Sequence, residues 1–386
     1  MTHLEGLRFA VLVARGSNPT EFQAIRLRLS EAGAQVMCIG LDRLSCELED
    51  HSVGYADARI EDVGDQVFDG VFIPGGLGPE KLRQDARVVS LVQDCHRRGK
   101  VCAAICHGQQ VLISAGLMNG VRATAAWSMM DDLRTVGVIV PEGERAVRDG
   151  QIVTAMFPQD LPAFFALVFE VLQEIEGRAV PTAYGSRFAG QMWGMVVDDA
   201  TDGTQVQVLR LRIQEEGGRV LLLGRHAGAQ VRLGSPAWEW GEMGWRVTVD
   251  RMLPDLGVTD SYDGEAEANS RAISASELDG LLLPGGLATW MIRGHPGLKR
   301  LICEMDAANR PIGAVGRGVK ILLSAGILDG RTVTCAPEMR DDLIHAVDGI
   351  DYQGDAVVVD GNLVTCQDTE ALPAFMHELI ALRGAT

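Results

Sequence analysis

Apolar residues along this chain follow two alternating rhythms. "RFAVLVA" (8–14) is a continuous β-branched and apolar run, the kind that fills a strand buried on both faces. "EFQAIRLRLSEAG" (21–33) spaces its apolar residues three and four apart and closes on Gly33, which predicts a helix with a glycine stop. "AQVMCIG" (34–40) reads as the next strand, and "DGVFIPGG" (69–76) as a strand ending in a Gly-Gly turn. "PEKLRQDARVVSLVQDCHRRG" (79–99) reads as a helix, "KVCAAIC" (100–106) as a strand and "HGQQVLISAGLM" (107–118) as a helix. Strands alternating with helices predict a doubly wound α/β fold: a flavodoxin-like, three-layer α/β/α domain with a mostly parallel sheet. Sites in such sheets form beyond the carboxyl ends of the strands, where Gly75, Gly76 and Cys106 fall.

The pattern occurs twice. "VFIPGGLGPEKL" (71–82) matches "LLLPGGLATWMI" (281–292), and "ISAGLMNGVRATAAWSMMDDL" (113–133) matches "LSAGILDGRTVTCAPEMRDDL" (323–343), both at a shift of 210. "AIRLRLSEAGAQV" answers "VLRLRIQEEGGRV" at a shift of 184, so the second copy carries about 26 extra residues between 224 and 280. Two homologous domains are expected, 1–177 and 190–386, joined by a linker at 178–189 where Pro181 and glycines interrupt the periodicity. The extra segment holds Trp238, Trp240 and Trp245, which suit a domain or subunit contact.

Composition narrows the function classes. The 386 residues are 47% hydrophobic and 23% charged, ordinary for a globular protein, and no run of about 18 apolar residues suggests a membrane span. A net charge of −17 disfavours nucleic acid and anionic membranes as partners. The eight cysteines show no C-x-x-C spacing, and no signal peptide is visible, so reduced thiols in a cytoplasmic protein are expected, with no metal and no cofactor.

The chemistry centres on "AAICHGQQVL" (103–112). Ala104-Ile105-Cys106-His107-Gly108 has the layout of a nucleophile elbow: a sharp strand-to-helix turn with small residues on either side of the nucleophile. The helix that follows aims its N-terminus at the sulfur, which predicts a lowered thiol pKa. The His107 N–H, with the backbone of Gly75 and Gly76, forms a candidate oxyanion site.

At these residues the chain resembles the ThiJ/PfpI superfamily, which has a class I glutamine-amidotransferase-like fold. The resemblance rests on "IPGG" (73–76), Pro79-Glu80, "AAICHG" (103–108), "SAGLMNG" (114–120), "DDL" (131–133) and "DLPAF" (160–164), and it extends over nearly all of both copies. It implies that Cys106 is the nucleophile and that Glu21 is the acidic residue hydrogen-bonded to it, protonated through burial. It further implies that His107 moves protons, and that Glu80 is the carboxylate reaching a histidine from a neighbouring subunit. The chain departs from the family pattern at Ala126-Trp127 and Ala155-Met156, near the substrate mouth in relatives.

In the second copy Cys106 becomes Gly316, His107 becomes Arg317, Glu80 becomes Trp290 and Glu21 becomes Gln205. The glycines of the fold persist, so that copy is expected to keep the architecture and lose the cysteine chemistry. If the two copies pair as a pseudo-dimer, Glu80 would approach Arg317 and Trp290 would cover Cys106; higher homo-oligomers are also open. The resemblance implies a cysteine-dependent enzyme acting on small reactive carbonyls, of glyoxalase or deglycase type. Two alternatives are an intracellular cysteine peptidase or amidase, and a redox-sensing or stress-response protein using Cys106.

Overall fold

The computed structural model describes residues 3–177, 186–234, 246–254, 272–345 and 349–384. The chain divides into two compact units, Met1–Gly185 and Ser186–Thr386. The tryptophans at 238, 240 and 245, and most of the linker, lie outside the described residues.

In the first unit the elements run β1 (Arg8–Leu12), α1 (Pro19–Glu31), β2 (Gln35–Gly40), β3 (Ser45–Glu47), β4 (Val53–Tyr55), β5 (Ala58–Arg59), α2 (Ile60–Val63), β6 (Gly70–Ile73), α3 (Gly78–Leu82) and α4 (Ala86–Arg97). They continue with β7 (Val101–Ile105), α5 (Gln109–Ser114), α6 (Met130–Thr135), β8 (Ala146–Asp149), β9 (Ile152–Ala155) and α7 (Leu161–Glu176). The seven-stranded sheet has the order β5-β2-β1-β6-β7-β9-β8. All pairings are parallel except β8 on β9. β6 and β7 are buried along their whole length, which is why they read as unbroken apolar runs. One face packs through Phe9, Phe72 and Phe164, whose rings meet edge to face at 5.5 and 6.5 Å.

The second unit repeats this arrangement. Its sheet runs Arg251–Met252, Arg219–Gly224, Met192–Val196, Gly280–Leu283, Ile312–Val315, Leu363–Cys366 and Val357–Asp360, with the last pairing antiparallel. It also repeats the antiparallel β3–β4 pair, as Gln230–Arg232 against Arg246–Thr248. Among the described residues no helix is long and apolar enough to cross a membrane.

Two helices differ from their sequence pattern. The stretch 79–99 is not one helix, because the Asp85 side chain accepts from the Arg87 N–H at 2.8 Å and starts a new one. The helix after Cys106 spans only Gln109–Ser114, and Gly116 turns the chain at φ 73° just beyond it.

Candidate active site

The site is assembled by three turns at the carboxyl ends of β1, β6 and β7. Asn18 caps α1, its side chain accepting from the Glu21 N–H at 3.0 Å, and Pro19 suits the first helical turn. The Asn18 N–H donates to the Gly75 carbonyl at 3.0 Å, tying the first turn to the glycine turn. Glu21 is thereby carried, fully buried, beneath the glycines.

Glu21 Oε2 accepts from the Gly75 N–H at 2.6 Å. Its other oxygen, Oε1, finds no conventional hydrogen-bond partner, and the group that faces the carboxyl is the Cys106 thiol. Burial raises the Glu21 pKa to about 8; the Gly75 bond opposes this and the nearby Glu49 charge adds to it. Glu49 sits between β3 and β4, where its carboxylate accepts from Asn18 Nδ2 at 3.1 Å.

Cys106 leaves β7 at φ 62°, a left-handed conformation that is unfavourable for any residue with a Cβ. The Cys106 N–H donates to Ala155 O at 3.0 Å, and Cys106 O accepts from the Ala126 N–H at 3.1 Å, so the strained residue is held at both ends. Buried Gln109 braces the same turn, with Nε2 donating to Thr124 O at 2.8 Å and Ala155 O at 3.0 Å. Residue 75 has to be glycine here. A Cβ would lie 2.6 Å from the Cys106 Cβ, 2.8 Å from Glu21 Oε2 and 2.8 Å from the His107 nitrogen.

The expected lowering of the thiol pKa is not found. Burial, and then the Glu21 carboxylate, push Cys106 up to about 12, while the N–H groups of Gly76 and His107, which point at the sulfur, pull the other way. Desolvation of the largely buried sulfur outweighs what those two N–H groups contribute. The oxyanion expectation also changes at one position. The Gly75 N–H is committed to Glu21, which leaves the Gly76 and His107 N–H groups at the sulfur.

His107 is half-buried, and both nitrogens of its ring have partners. Nδ1 lies 3.2 Å from Gly76 O and Nε2 lies 2.7 Å from Ser128 Oγ. A carbonyl can only accept, so Nδ1 carries the hydrogen in that bond, and Nε2 shares a hydrogen bond with the Ser128 hydroxyl. Glu80 is exposed on α3 and is not a partner of either ring nitrogen within its own chain.

The second unit keeps the framework around different side chains. Gln205 Oε1 accepts from the Gly285 N–H at 2.7 Å, and its Nε2 donates to Thr369 Oγ1 at 3.2 Å. Gly316 takes φ 56° where Cys106 has 62°. Arg317 pairs with Glu338 of its own unit at 3.0 Å. Trp290 is about half exposed, with Lys320 Nζ 3.7 Å and the Arg293 guanidinium 5.2 Å from its ring centre.

Ser128, Gln109, Asn18 and Glu49 are site residues that local spacing did not single out. Asn18 had a signal, an asparagine three residues before an acid at a helix start. Ser128 had one in the repeat: at the shift of 210, Ser128 becomes Glu338 as His107 becomes Arg317, so both members of the contact change together. Among the described residues no cluster of histidine, cysteine or acidic side chains suits a metal ion, and all eight cysteines are free, Cys303 exposed.

Protein DJ-1 homolog D of Arabidopsis thaliana is 27% identical over 338 residues, 85% of this chain and 81% of its own. Protein/nucleic acid deglycase 2 of Escherichia coli is 34% identical over 161 residues, 41% of this chain and 92% of its own. A deglycase of Pyrococcus horikoshii is 32% identical over 158 residues, 40% of this chain and 95% of its own. The DJ-1/PfpI family profile matches residues 7–171 and again 212–382. With two copies of the domain accounting for most of its length, the chain belongs to the DJ-1/PfpI family.

Proposed function

We propose that the first unit is a cysteine-dependent enzyme of deglycase or glyoxalase type, acting on small reactive carbonyl compounds. The observation that carries this reading is the placing of Cys106 in a left-handed turn against the buried carboxyl of Glu21. Strain of that kind persists where the surrounding structure enforces it, and it clusters at functional sites. The Escherichia coli and Pyrococcus horikoshii relatives, both named as deglycases, support the same class.

The proton inventory follows from the two raised pKa values. At neutral pH the thiol carries its proton, and Glu21, at about 8, is close to its own titration. The reacting form has Glu21 ionised. As sulfur attacks the aldehyde carbon of a dicarbonyl, a C–S bond forms and the carbonyl π pair moves to oxygen. The thiol proton passes to Glu21, and the N–H groups of Gly76 and His107 face the charge that develops. Glu21 returns its proton to the alkoxide, giving a hemithioacetal. Moving the hydrogen on the sulfur-bearing carbon to its neighbour as a proton, while the hydroxyl proton passes from the oxygen of the sulfur-bearing carbon to the neighbouring oxygen, gives a thioester. Water then cleaves the thioester to a 2-hydroxy acid and regenerates the thiol. Ser128 holds His107 through Nε2, and a proton passes between the ring and a substrate oxygen by way of that hydroxyl.

The test is methylglyoxal consumption by the purified full chain without added glutathione, with the hydroxy acid measured as product. Loss of turnover in Cys106→Ala supports the reading, and turnover that survives the substitution overturns it.

A further inference from the structure

The second unit lacks the thiol and has a cavity at the corresponding place. A space of about 240 Å3 is lined by Gln205, Gly286, Gly316, Arg317, Glu338 and Thr369, together with the acidic Asp202 and Asp368. It occupies the position that the Cys106 turn has in the first unit. The backbone around it is reproduced closely: Asp202 N–H donates to Gly285 O at 3.1 Å, as Asn18 does to Gly75, and Gly286 and Gly316 take φ 93° and 56°. In the first unit the N–H groups of residues 76 and 107 point at sulfur. Their counterparts, Gly286 and Arg317, have no side chain before them, because residue 316 is glycine.

We propose that this cavity binds a small zwitterion with adjacent carboxylate and ammonium groups, an α-amino acid with a short side chain. The carboxylate takes the place of the missing sulfur, on the N–H groups of Gly286 and Arg317, with the Arg317 guanidinium beside it. The ammonium faces the carboxylates of Glu338 and Asp368 and the Thr369 hydroxyl. Charge selects against simpler ligands. Arg317 is already matched by Glu338 at 3.0 Å, and Asp202 and Asp368 add negative charge, so a plain anion meets net repulsion. A plain cation leaves the N–H pair without an acceptor. At about 240 Å3 the space falls just below the range of about 300–1,000 Å3 that holds drug-sized ligands, which suits an occupant of about ten heavy atoms or fewer. This assignment is independent of any chemistry at Cys106.

The test is isothermal titration or ligand-observed NMR on the full chain with L-alanine, L-lactate and 2-amino-1-propanol. These share a three-carbon frame and differ in which charges they carry. L-alanine is expected to saturate one site per chain, with each singly charged analogue at least about tenfold weaker. Arg317→Met is expected to weaken L-alanine by about tenfold. Gly316→Asn, in a backbone conformation that asparagine tolerates, is expected to block binding by filling the N–H pair. Should Gly316→Asn fail to fold, Arg317→Met decides. Failure of L-alanine to saturate at tens of millimolar, equal binding of L-lactate or 2-amino-1-propanol, or affinity unaltered by Arg317→Met would each overturn the proposal.

Discussion

Glu21 and Gln205 make the same hydrogen bond in their two units: Glu21 Oε2 accepts from Gly75 N–H at 2.6 Å, and Gln205 Oε1 accepts from Gly285 N–H at 2.7 Å. The carboxyl is therefore not required by the fold, since an amide serves the backbone equally well. What Glu21 adds is a proton that comes off at about pH 8. A carboxyl whose folded-state pKa is raised stabilises the protein fully below its unfolded-state value, and that contribution is lost as pH rises through the folded-state value. The parent protein should thus lose stability relative to Glu21→Gln across the window from about pH 4.5 to about pH 8, by roughly 3–5 kcal/mol in all. Denaturant midpoints of the two proteins measured at several pH values check this. Parallel pH profiles would show that Glu21 is not held neutral by burial.

Activity has the opposite slope. The proposed attack needs Glu21 ionised, so kcat/KM should climb with pH through a midpoint near 8. Glu49 is an independent handle, because its charge helps to raise the Glu21 pKa. Glu49→Gln should move the midpoint to lower pH. Glu21→Gln should remove the limb and lower kcat/KM by about 10²–10⁴-fold. A midpoint unmoved by Glu49→Gln would detach the profile from Glu21.

Cys106 and Gly316 share one backbone conformation, and only the second has the residue type that prefers it. Cys106→Gly and Cys106→Ala both delete the sulfur and differ by one Cβ at φ 62°. The glycine variant should be the more stable by about 1 kcal/mol, and both should be inactive. Thermal unfolding orders them. An alanine variant equal to or above the glycine variant would remove the argument that the turn is strained.

The comparison of the two copies explains what was legible in the sequence. The strand and helix rhythm, the repeat and the cysteine-to-glycine exchange all reside in local spacing or in aligned positions, and can be read without coordinates. The break at Asp85 was hidden because helical apolar spacing runs on across it, whereas the cap is one side chain folded back on its own backbone. The direction of the Cys106 pKa was hidden for a different reason. Helix-end charge can be read from order along the chain, but desolvation depends on what packs over the sulfur. His107 met partners 31 and 21 residues away, beyond any local pattern.

The Ser128 hydroxyl at 2.7 Å from His107 Nε2 sets the ring's orientation and not the fold, since Ser128 is exposed. Ser128→Ala should leave the unfolding midpoint within about 0.5 kcal/mol of the parent. It should lower kcat more than it raises KM, if the ring acts in the chemical step. Steady-state kinetics on methylglyoxal test this, with Ser128→Thr expected to restore activity because it keeps the hydroxyl. Unchanged kcat in Ser128→Ala would reduce His107 to a donor of its backbone N–H.

The two glycine turns should respond differently to the same added methyl group. At Gly75 a Cβ meets the Cys106 Cβ at 2.6 Å and the His107 nitrogen at 2.8 Å, both on a turn that is itself bonded at each end. Nothing there can yield without moving the nucleophile. At Gly285 the nearest atoms are Val315 O at 3.0 Å and Arg317 N and Gln205 Oε1 at 3.3 Å, and the side chain that would have crowded it is absent at Gly316. Gly75→Ala should therefore destabilise the first unit by roughly 2–4 kcal/mol and abolish turnover. Gly285→Ala should cost about 1 kcal/mol or less and leave turnover intact. Equal effects at the two positions, read by denaturant unfolding and methylglyoxal turnover, would show that the close packing of Gly75 against Cys106 and Glu21 does not govern the site.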